Sequence, residues 1–254
     1  MMRRHEGRRV VVTGAGSGIG RGIVVRMLAE GAHVVGADIS EPGLKETVAE
    51  VGADRERLHT VTVDVADPES VRPAVAAAVD HLGGLDVLVN AAGIMRTAHT
   101  HEMAFESWNQ VIGINLTGTF LMMQAAIPTL LQSEHPVIVN FSSTAALGAN
   151  PYMAAYAASK GGVNAMTHAV ALEYSQKGLR AVNIVPGGIT SGITNNLQTP
   201  EDADWNLFSR LTGWLNGGAL GEPADVAGVV AMVASEDGRY ITGSEIRVDG
   251  GALM

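Results

Sequence analysis

Seven short runs of β-branched and aliphatic residues punctuate this chain, and between them lie longer stretches whose apolar positions recur every three or four residues. The runs cover 9–13, 33–38, 58–65, 85–90, 137–142, 180–185 and 245–248. Their length and composition predict strands, and the intervening period predicts helices. Several runs are almost wholly apolar, as expected of strands covered on both faces, so the alternation predicts a parallel sheet with helices on each side. Asp67-Pro68-Glu69 has the cap, first-turn proline and first-turn acid of a helix start, ahead of an Ala/Val-rich stretch ending at Leu82. Glu222-Pro223-Ala224-Asp225 opens another helix that ends near Ala234. Pro128 interrupts the apolar stretch 116–131 and predicts a kink or a helix end there.

Length and composition add limits. The chain has 254 residues, 46% of them hydrophobic and 17% charged, enough for a substantial core, and no linker divides it, so one domain over 1–254 is expected. A formal net charge of −9 argues against a nucleic-acid surface, which needs a basic stripe to neutralise phosphates. With no cysteine, disulfides, thiolate nucleophiles and Cys-based zinc sites are excluded. The basic N-terminus carries no signal-peptide apolar region, and no apolar run approaches the roughly 20 residues of a membrane helix. A cytoplasmic protein without membrane contact is expected.

The chemistry starts at Thr13-Gly14-Ala15-Gly16-Ser17-Gly18-Ile19-Gly20, between the first strand and an amphipathic helix running to about Glu30. Glycines let the backbone turn tightly against a pyrophosphate, and a helix N-terminus offers free amides and a positive dipole end. The strict G-x-G-x-x-G spacing fails at Ile19, and the absence of a Walker lysine disfavours an ATP loop. Asp38 closes the next strand, where a carboxylate accepts ribose hydroxyls and repels a 2′-phosphate. No lysine or arginine adjoins it in Gly36-Ala37-Asp38-Ile39-Ser40, so NAD is favoured over NADP.

Tyr156 and Lys160 stand four apart, a spacing that puts both on one helix face with the ammonium beside the phenol. A free phenol, at a pKa of about 10, holds its proton too tightly for a base near neutrality, so a fixed positive neighbour is what such a site requires. Alone the pair is a common helix-surface pattern. Ser143 as a turn cap, Asn115 as a backbone partner and Tyr156 as a packed aromatic are the plain structural alternatives.

Taken together, the motifs resemble the short-chain dehydrogenase/reductase family from Thr13 to Gly251. The loop from Thr13 to Gly20 matches the family's Thr-Gly-x-x-x-Gly-x-Gly cofactor fingerprint. Asp64-Val65 resembles its adenine-binding pair, and Asn90-Ala91-Ala92-Gly93 its Asn-Ala-Ala-Gly motif. Asn115, Ser143, Tyr156 and Lys160 match its catalytic tetrad in order. Pro186-Gly187-Gly188-Ile189-Thr190-Ser191 resembles its Pro-Gly loop over the nicotinamide, with Thr190 or Ser191 left open as the contacting hydroxyl.

The resemblance implies a single-domain, Rossmann-like doubly wound α/β fold and a cofactor set of Gly14, Ser17, Gly18, Ile19, Gly20, Asp38, Asp64, Val65, Asn90, Ala91, Gly93, Tyr156, Lys160, Pro186, Gly187, Ile189 and Ser191. It further implies hydride transfer between NAD and a small-molecule alcohol or ketone, with Tyr156 as acid/base, Ser143 orienting the substrate oxygen, Lys160 lowering the Tyr156 pKa and Asn115 positioning a water. A homotetramer is the family expectation. A 3-oxoacyl thioester reductase and a dinucleotide-sensing module without catalysis are the alternatives.

The segment 191–221 carries Trp205, Leu207, Phe208, Leu211, Trp214 and Leu215, which suit either a substrate lid or ordinary packing. By position in the fold, Ile94, Met95, Leu147, Asn150, Met153 and Gly188 are further pocket-wall candidates. His99 and His101 lie close together, but no third ligand accompanies them, so no metal site is expected.

Overall fold

The computed structural model describes residues 3–195, 198–208 and 213–254. In chain order it forms β1 (Arg9–Thr13), α1 (Gly18–Ala29), β2 (His33–Asp38), α2 (Glu41–Glu50), β3 (Leu58–Thr62), α3 (Pro68–Leu82), β4 (Val87–Asn90), α4 (Phe105–Ile112), α5 (Gly118–Leu130) and β5 (Val137–Phe141). There follow α6 (Thr144–Leu147), α7 (Ala154–Tyr174), β6 (Arg180–Pro186), α8 (Gly192–Asn195), α9 (Trp205–Phe208), α10 (Pro223–Ala234) and β7 (Glu245–Val248).

All seven expected strands form one sheet in the order β3-β2-β1-β4-β5-β6-β7, and every pair is parallel. The chain winds outward from β1 in one direction and then, from β4, in the other. The strand order therefore reverses between β1 and β4, where a crevice opens at the carboxyl ends. Three strands are shorter than expected, β5 by one residue only, since it ends at Phe141. β3 stops at Thr62 because Val63 makes one more bond, to the Asp38 carbonyl, before Asp64 and Val65 turn across the crevice. β4 begins at Val87 because the Asp86 side chain turns to Arg9, accepting from its backbone and its guanidinium.

Neighbouring residues on each strand point to opposite faces, and the core divides accordingly. Val10, Val12, Val87, Val89, Val137 and Val139 pack with α1 and α10, whereas Val11, Leu88, Ile138 and Ala181 pack with α3, α5 and α7. Burial on both faces is why these runs read as nearly continuous aliphatics.

A polar row crosses this apolar sheet. Register pairs Thr13 with Asn90, Asn90 with Asn140, Asn140 with Asn183, and Asn183 with Glu245. Asn90 Nδ2 donates to Asn140 Oδ1 (2.8 Å), Asn140 Nδ2 to Thr167 Oγ1 (2.8 Å), and Thr167 Oγ1 to Asn183 Oδ1 (3.0 Å). Because Thr167 belongs to α7, this chain of buried side-chain hydrogen bonds fixes that helix against the sheet.

The caps follow expectation. Asp67 accepts from the Glu69 amide, and Asp225 accepts from the Glu222 amide in a capping box. Pro128 gives a helix end rather than a break, since α5 runs only to Leu130. Residues 105–130 form one continuous helix with a π-turn, long and apolar enough by composition to cross a membrane. Val111, Met122, Met123, Ala126 and Leu130 bury one side of it in the protein core.

Candidate active site

Gly14 opens the β1–α1 turn with a φ of 69°, and a Cβ there would stand 2.8 Å from the Ala91 carbonyl oxygen and the Ala92 amide. The β1 and β4 loops thus meet backbone to backbone at the strand-order reversal, an approach only glycine permits. Beside them lies a crevice lined by Gly14, Ser17, Gly18, Ile19, Gly20, Asp38, Asp64, Val65, Ala91, Gly93 and Ser191. Asp38 sits at one end, its Oδ2 accepting from Gly16 N and its Oδ1 from Ser40 N, both at 2.8 Å. These bonds aim the carboxylate into the crevice mouth and leave part of its acceptor capacity free.

Asn90 departs from the expected cofactor set. It is 3% exposed and belongs to the polar row inside the sheet, so it supports the loop without lining the crevice. Ile39, Val63, Ala92, Ile114 and Gly192 line the crevice without having been expected. They flank motif residues, and their side of the loop depends on how the chain turns after each strand.

A second cavity, of about 290 Å³, shares Ile19, Ala91, Gly93 and Ser191 with the first. Ser143, Tyr156 and Lys160 line it together with Pro186, Gly187, Gly188 and Ile189. Ser143 ends the turn after β5 and caps α6, its Oγ accepting from Ala145 N (3.1 Å). Tyr156 and Lys160 project from the first two turns of α7. The helix is held there by the Ser142 hydroxyl, which donates to the Lys160 carbonyl (3.0 Å). Lys160 Nζ donates to the Phe141 carbonyl (2.8 Å) and stands 5.8 Å from the centroid of the Tyr156 ring.

Burial dominates the electrostatics of the pair. Burial raises the Tyr156 phenol above its ordinary value, and the opposing contribution is the hydrogen bond from Ser143. Lys160 is itself perturbed: burial lowers its ammonium from 10.5 to about 8.

Asn115 lies in a π-turn (Gly113–Thr117) joining α4 to α5. Its side chain clamps Ile94, accepting from the amide (2.8 Å) and donating to the carbonyl (2.9 Å), and also donates to Ser159 Oγ (3.0 Å). Gly93 makes this possible, since a Cβ there would stand 3.2 Å from Asn115 Oδ1 and 3.5 Å from Lys160 Nζ.

Of the wall candidates, Met95, Asn150, Met153 and Gly188 line the second cavity. Ile94 is held by Asn115 on the crevice side instead, and Leu147, on the outer side of α6, is 47% exposed and lines neither. From the 191–221 segment, Phe208 lines the cavity together with Thr194 and Leu220, which were not expected. Trp205, Leu207, Trp214 and Leu215 are exposed, and Leu211 lies outside the described residues. Ser191 faces the cavities, whereas the Thr190 hydroxyl donates to Glu222 Oε1 (3.2 Å). His99 pairs with Asp202, and no cluster suited to a metal occurs among the described residues.

The family model for short chain dehydrogenases matches residues 8–202. The chain belongs to the short-chain dehydrogenase/reductase family. It is 38% identical over 251 residues to the 2,5-dichloro-2,5-cyclohexadiene-1,4-diol dehydrogenase LinX of Sphingobium indicum, covering 99% of this chain and 98% of that one. It is 36% identical to the 3-oxoacyl-[acyl-carrier-protein] reductase FabG of Thermotoga maritima, over 99% of this chain and 100% of the relative. Among solved structures, a short chain dehydrogenase from Mycobacterium paratuberculosis bound to NAD superposes with a TM-score of 0.90 at 30% identity, covering 98% of each chain. Like its short-chain dehydrogenase relatives, the protein is an oxidoreductase that works with a nicotinamide dinucleotide and interconverts alcohol and carbonyl groups.

Proposed function

We propose that the protein is an NAD-dependent dehydrogenase/reductase of a neutral, compact, apolar secondary alcohol and its ketone, with Tyr156 as the acid/base. The observation that carries this reading is the pairing of the two cavities. One has a carboxylate, Asp38, at its mouth, and the other gathers Ser143 and Tyr156 against the apolar walls Met95, Met153, Phe208 and Leu220.

The crevice suits a dinucleotide: Gly14, Ser17, Gly18 and Ile19 would hold the pyrophosphate, Asp38 the adenosine ribose, Lys160 the nicotinamide ribose, and Pro186 to Ser191 the nicotinamide. A nicotinamide bound there supplies the hydride acceptor or donor and, when oxidised, a positive charge that favours the phenolate. In oxidation, Ser143 Oγ holds the substrate oxygen while Tyr156 Oη takes the hydroxyl proton; in reduction Tyr156 returns it. Asn115 acts by holding the Ile94 backbone, which keeps Gly93 and the cofactor-facing loop against Lys160.

Asp38 supports NAD over NADP, since a 2′-phosphate would meet a carboxylate. Arg21, which reaches the Gly16 carbonyl, is already engaged by Glu46. Among the described residues, Lys160 is the only lysine or arginine lining the substrate cavity, which supports a neutral substrate over a carrier-bound thioester. The segment 191–221 is the substrate lid, supported by Phe208 in the wall. A homotetramer is supported by Phe105, Phe120 and Leu172, exposed on α4, α5 and α7. Assaying cyclohexanol, a sterol and a 3-oxoacyl thioester with NAD(H) and NADP(H) tests the reading. Turnover confined to the thioester, or equal efficiency with both cofactors, would overturn it.

A further inference from the structure

Among the described residues, Tyr152 is the one non-glycine with a positive φ, 62°. A bulky side chain resists that conformation, which persists only where surrounding contacts over-determine it. Tyr152 has such contacts, and they run to segments far apart in the chain. Its carbonyl accepts from Ala98 N (3.0 Å) in the loop after β4, and its hydroxyl accepts from Asp204 N (2.9 Å). Its ring meets His99 edge-on at 5.1 Å and stacks on Phe208 at 5.8 Å, with 30° between planes.

Two further ties join the same segments. His99 Nε2 pairs with Asp202 Oδ1 at 2.8 Å, and the Thr97 hydroxyl donates to the Gln198 carbonyl. Trp205 packs on the outer side of the cluster, 5.2 Å from Phe208. Tyr152 itself does not line the substrate cavity, but Asn150, Met153 and Phe208 around it do.

We propose that Tyr152 is a positioning residue for substrate: its ring and hydroxyl, with the His99–Asp202 pair, clasp residues 198–208 so that Phe208 stands as an apolar wall of the Tyr156 cavity. The inference rests on the alcohol/ketone reading for its kinetic consequence only; the clasp itself is a matter of contacts. A glycine at 152 would adopt the backbone conformation without strain. Tyrosine is explained there by what its ring and hydroxyl hold. Because Phe208 offers an apolar surface remote from the reacting oxygen, losing the clasp removes binding shared by ground and transition states, which raises KM and spares kcat.

The test combines kinetics with hydrogen exchange on the full-length protein. Tyr152→Ala loses one aromatic stack and one hydrogen bond, so KM for cyclohexanol rises about tenfold with kcat within about twofold and NADH affinity unchanged. Tyr152→Phe retains the ring and restores KM to within about threefold of wild type. His99→Gln leaves the strained backbone alone and raises KM about threefold through loss of a part-exposed pair. Independently of turnover, the 198–208 amides exchange about tenfold faster in Tyr152→Ala while those of β5 and α7 do not change. Unchanged exchange at 198–208 in both Tyr152→Ala and His99→Gln overturns the clasp. A fall in kcat with KM unchanged overturns the positioning role. If wild type does not oxidise cyclohexanol at all, the compact-alcohol reading fails, and the exchange result still decides the clasp.

Discussion

Replacing Lys160 with methionine should make the protein more stable near neutral pH while abolishing its activity. Lys160 is 6% exposed, and burial lowers its pKa from 10.5 to about 8. At roughly 1.4 kcal/mol per tenfold change in proton affinity, holding the ammonium in the fold costs about 3 kcal/mol at pH 7. The sign follows from where each state loses its proton. Below the folded value of about 8 both states are charged and the folded state bears the whole cost; between about 8 and 10.5 the folded lysine is neutral first, and the cost disappears.

Methionine has a similar unbranched shape and no charge, but it leaves the Phe141 carbonyl without the 2.8 Å bond from Nζ. That loss costs about 1–2 kcal/mol, so Lys160→Met gains about 1–2 kcal/mol net near pH 7. Urea unfolding near pH 7 and again near pH 10 measures the difference between the two proteins, and it should shift by about 2 kcal/mol against the variant at the higher pH. A difference independent of pH would refute the argument. The expected result is a residue kept at a cost in stability because the site requires it.

Other perturbations test other parts of the structure. Asp38→Ser should shift the kcat/KM ratio toward NADP by at least about tenfold, and an unchanged ratio in parallel assays would remove Asp38 as the discriminating group. Asp86, held by Arg9 and Ser133, has its carboxyl lowered from 3.8 to about 2. Its contribution is present above the ordinary carboxylate value and lost as pH falls through about 2. Asp86→Asn should therefore cost about 2 kcal/mol in denaturant titrations near pH 7, with the gap closing toward pH 2. A gap that persists in acid would point to packing instead.

The strands, the phosphate-binding turn and the Tyr156–Lys160 pair were legible because each is a local pattern: an aliphatic run, a glycine spacing, two residues one helical turn apart. What escaped depends on pairing between distant segments. Asn90, Asn140, Asn183 and Glu245 form a row only because four strands pair in one register. Tyr152 meets Asp204 only after the chain has wound through β6. The position of the Lys160 ammonium escaped for the same reason. Helical spacing brings it beside Tyr156, but the Phe141 carbonyl, nineteen residues earlier, decides where its ammonium points. The early end of β3 and the late start of β4 likewise reflect Asp64 turning across the crevice and Asp86 turning to Arg9, side-chain choices invisible in the apolar pattern.

The central claim is that Tyr156 moves a proton in step with hydride transfer to or from NAD. Its most direct test is Tyr156→Phe, which removes one oxygen and keeps the ring. Turnover of the best alcohol substrate should fall at least about a hundredfold, while NADH affinity by fluorescence titration stays within about twofold of wild type. Turnover within about threefold of wild type would contradict the account.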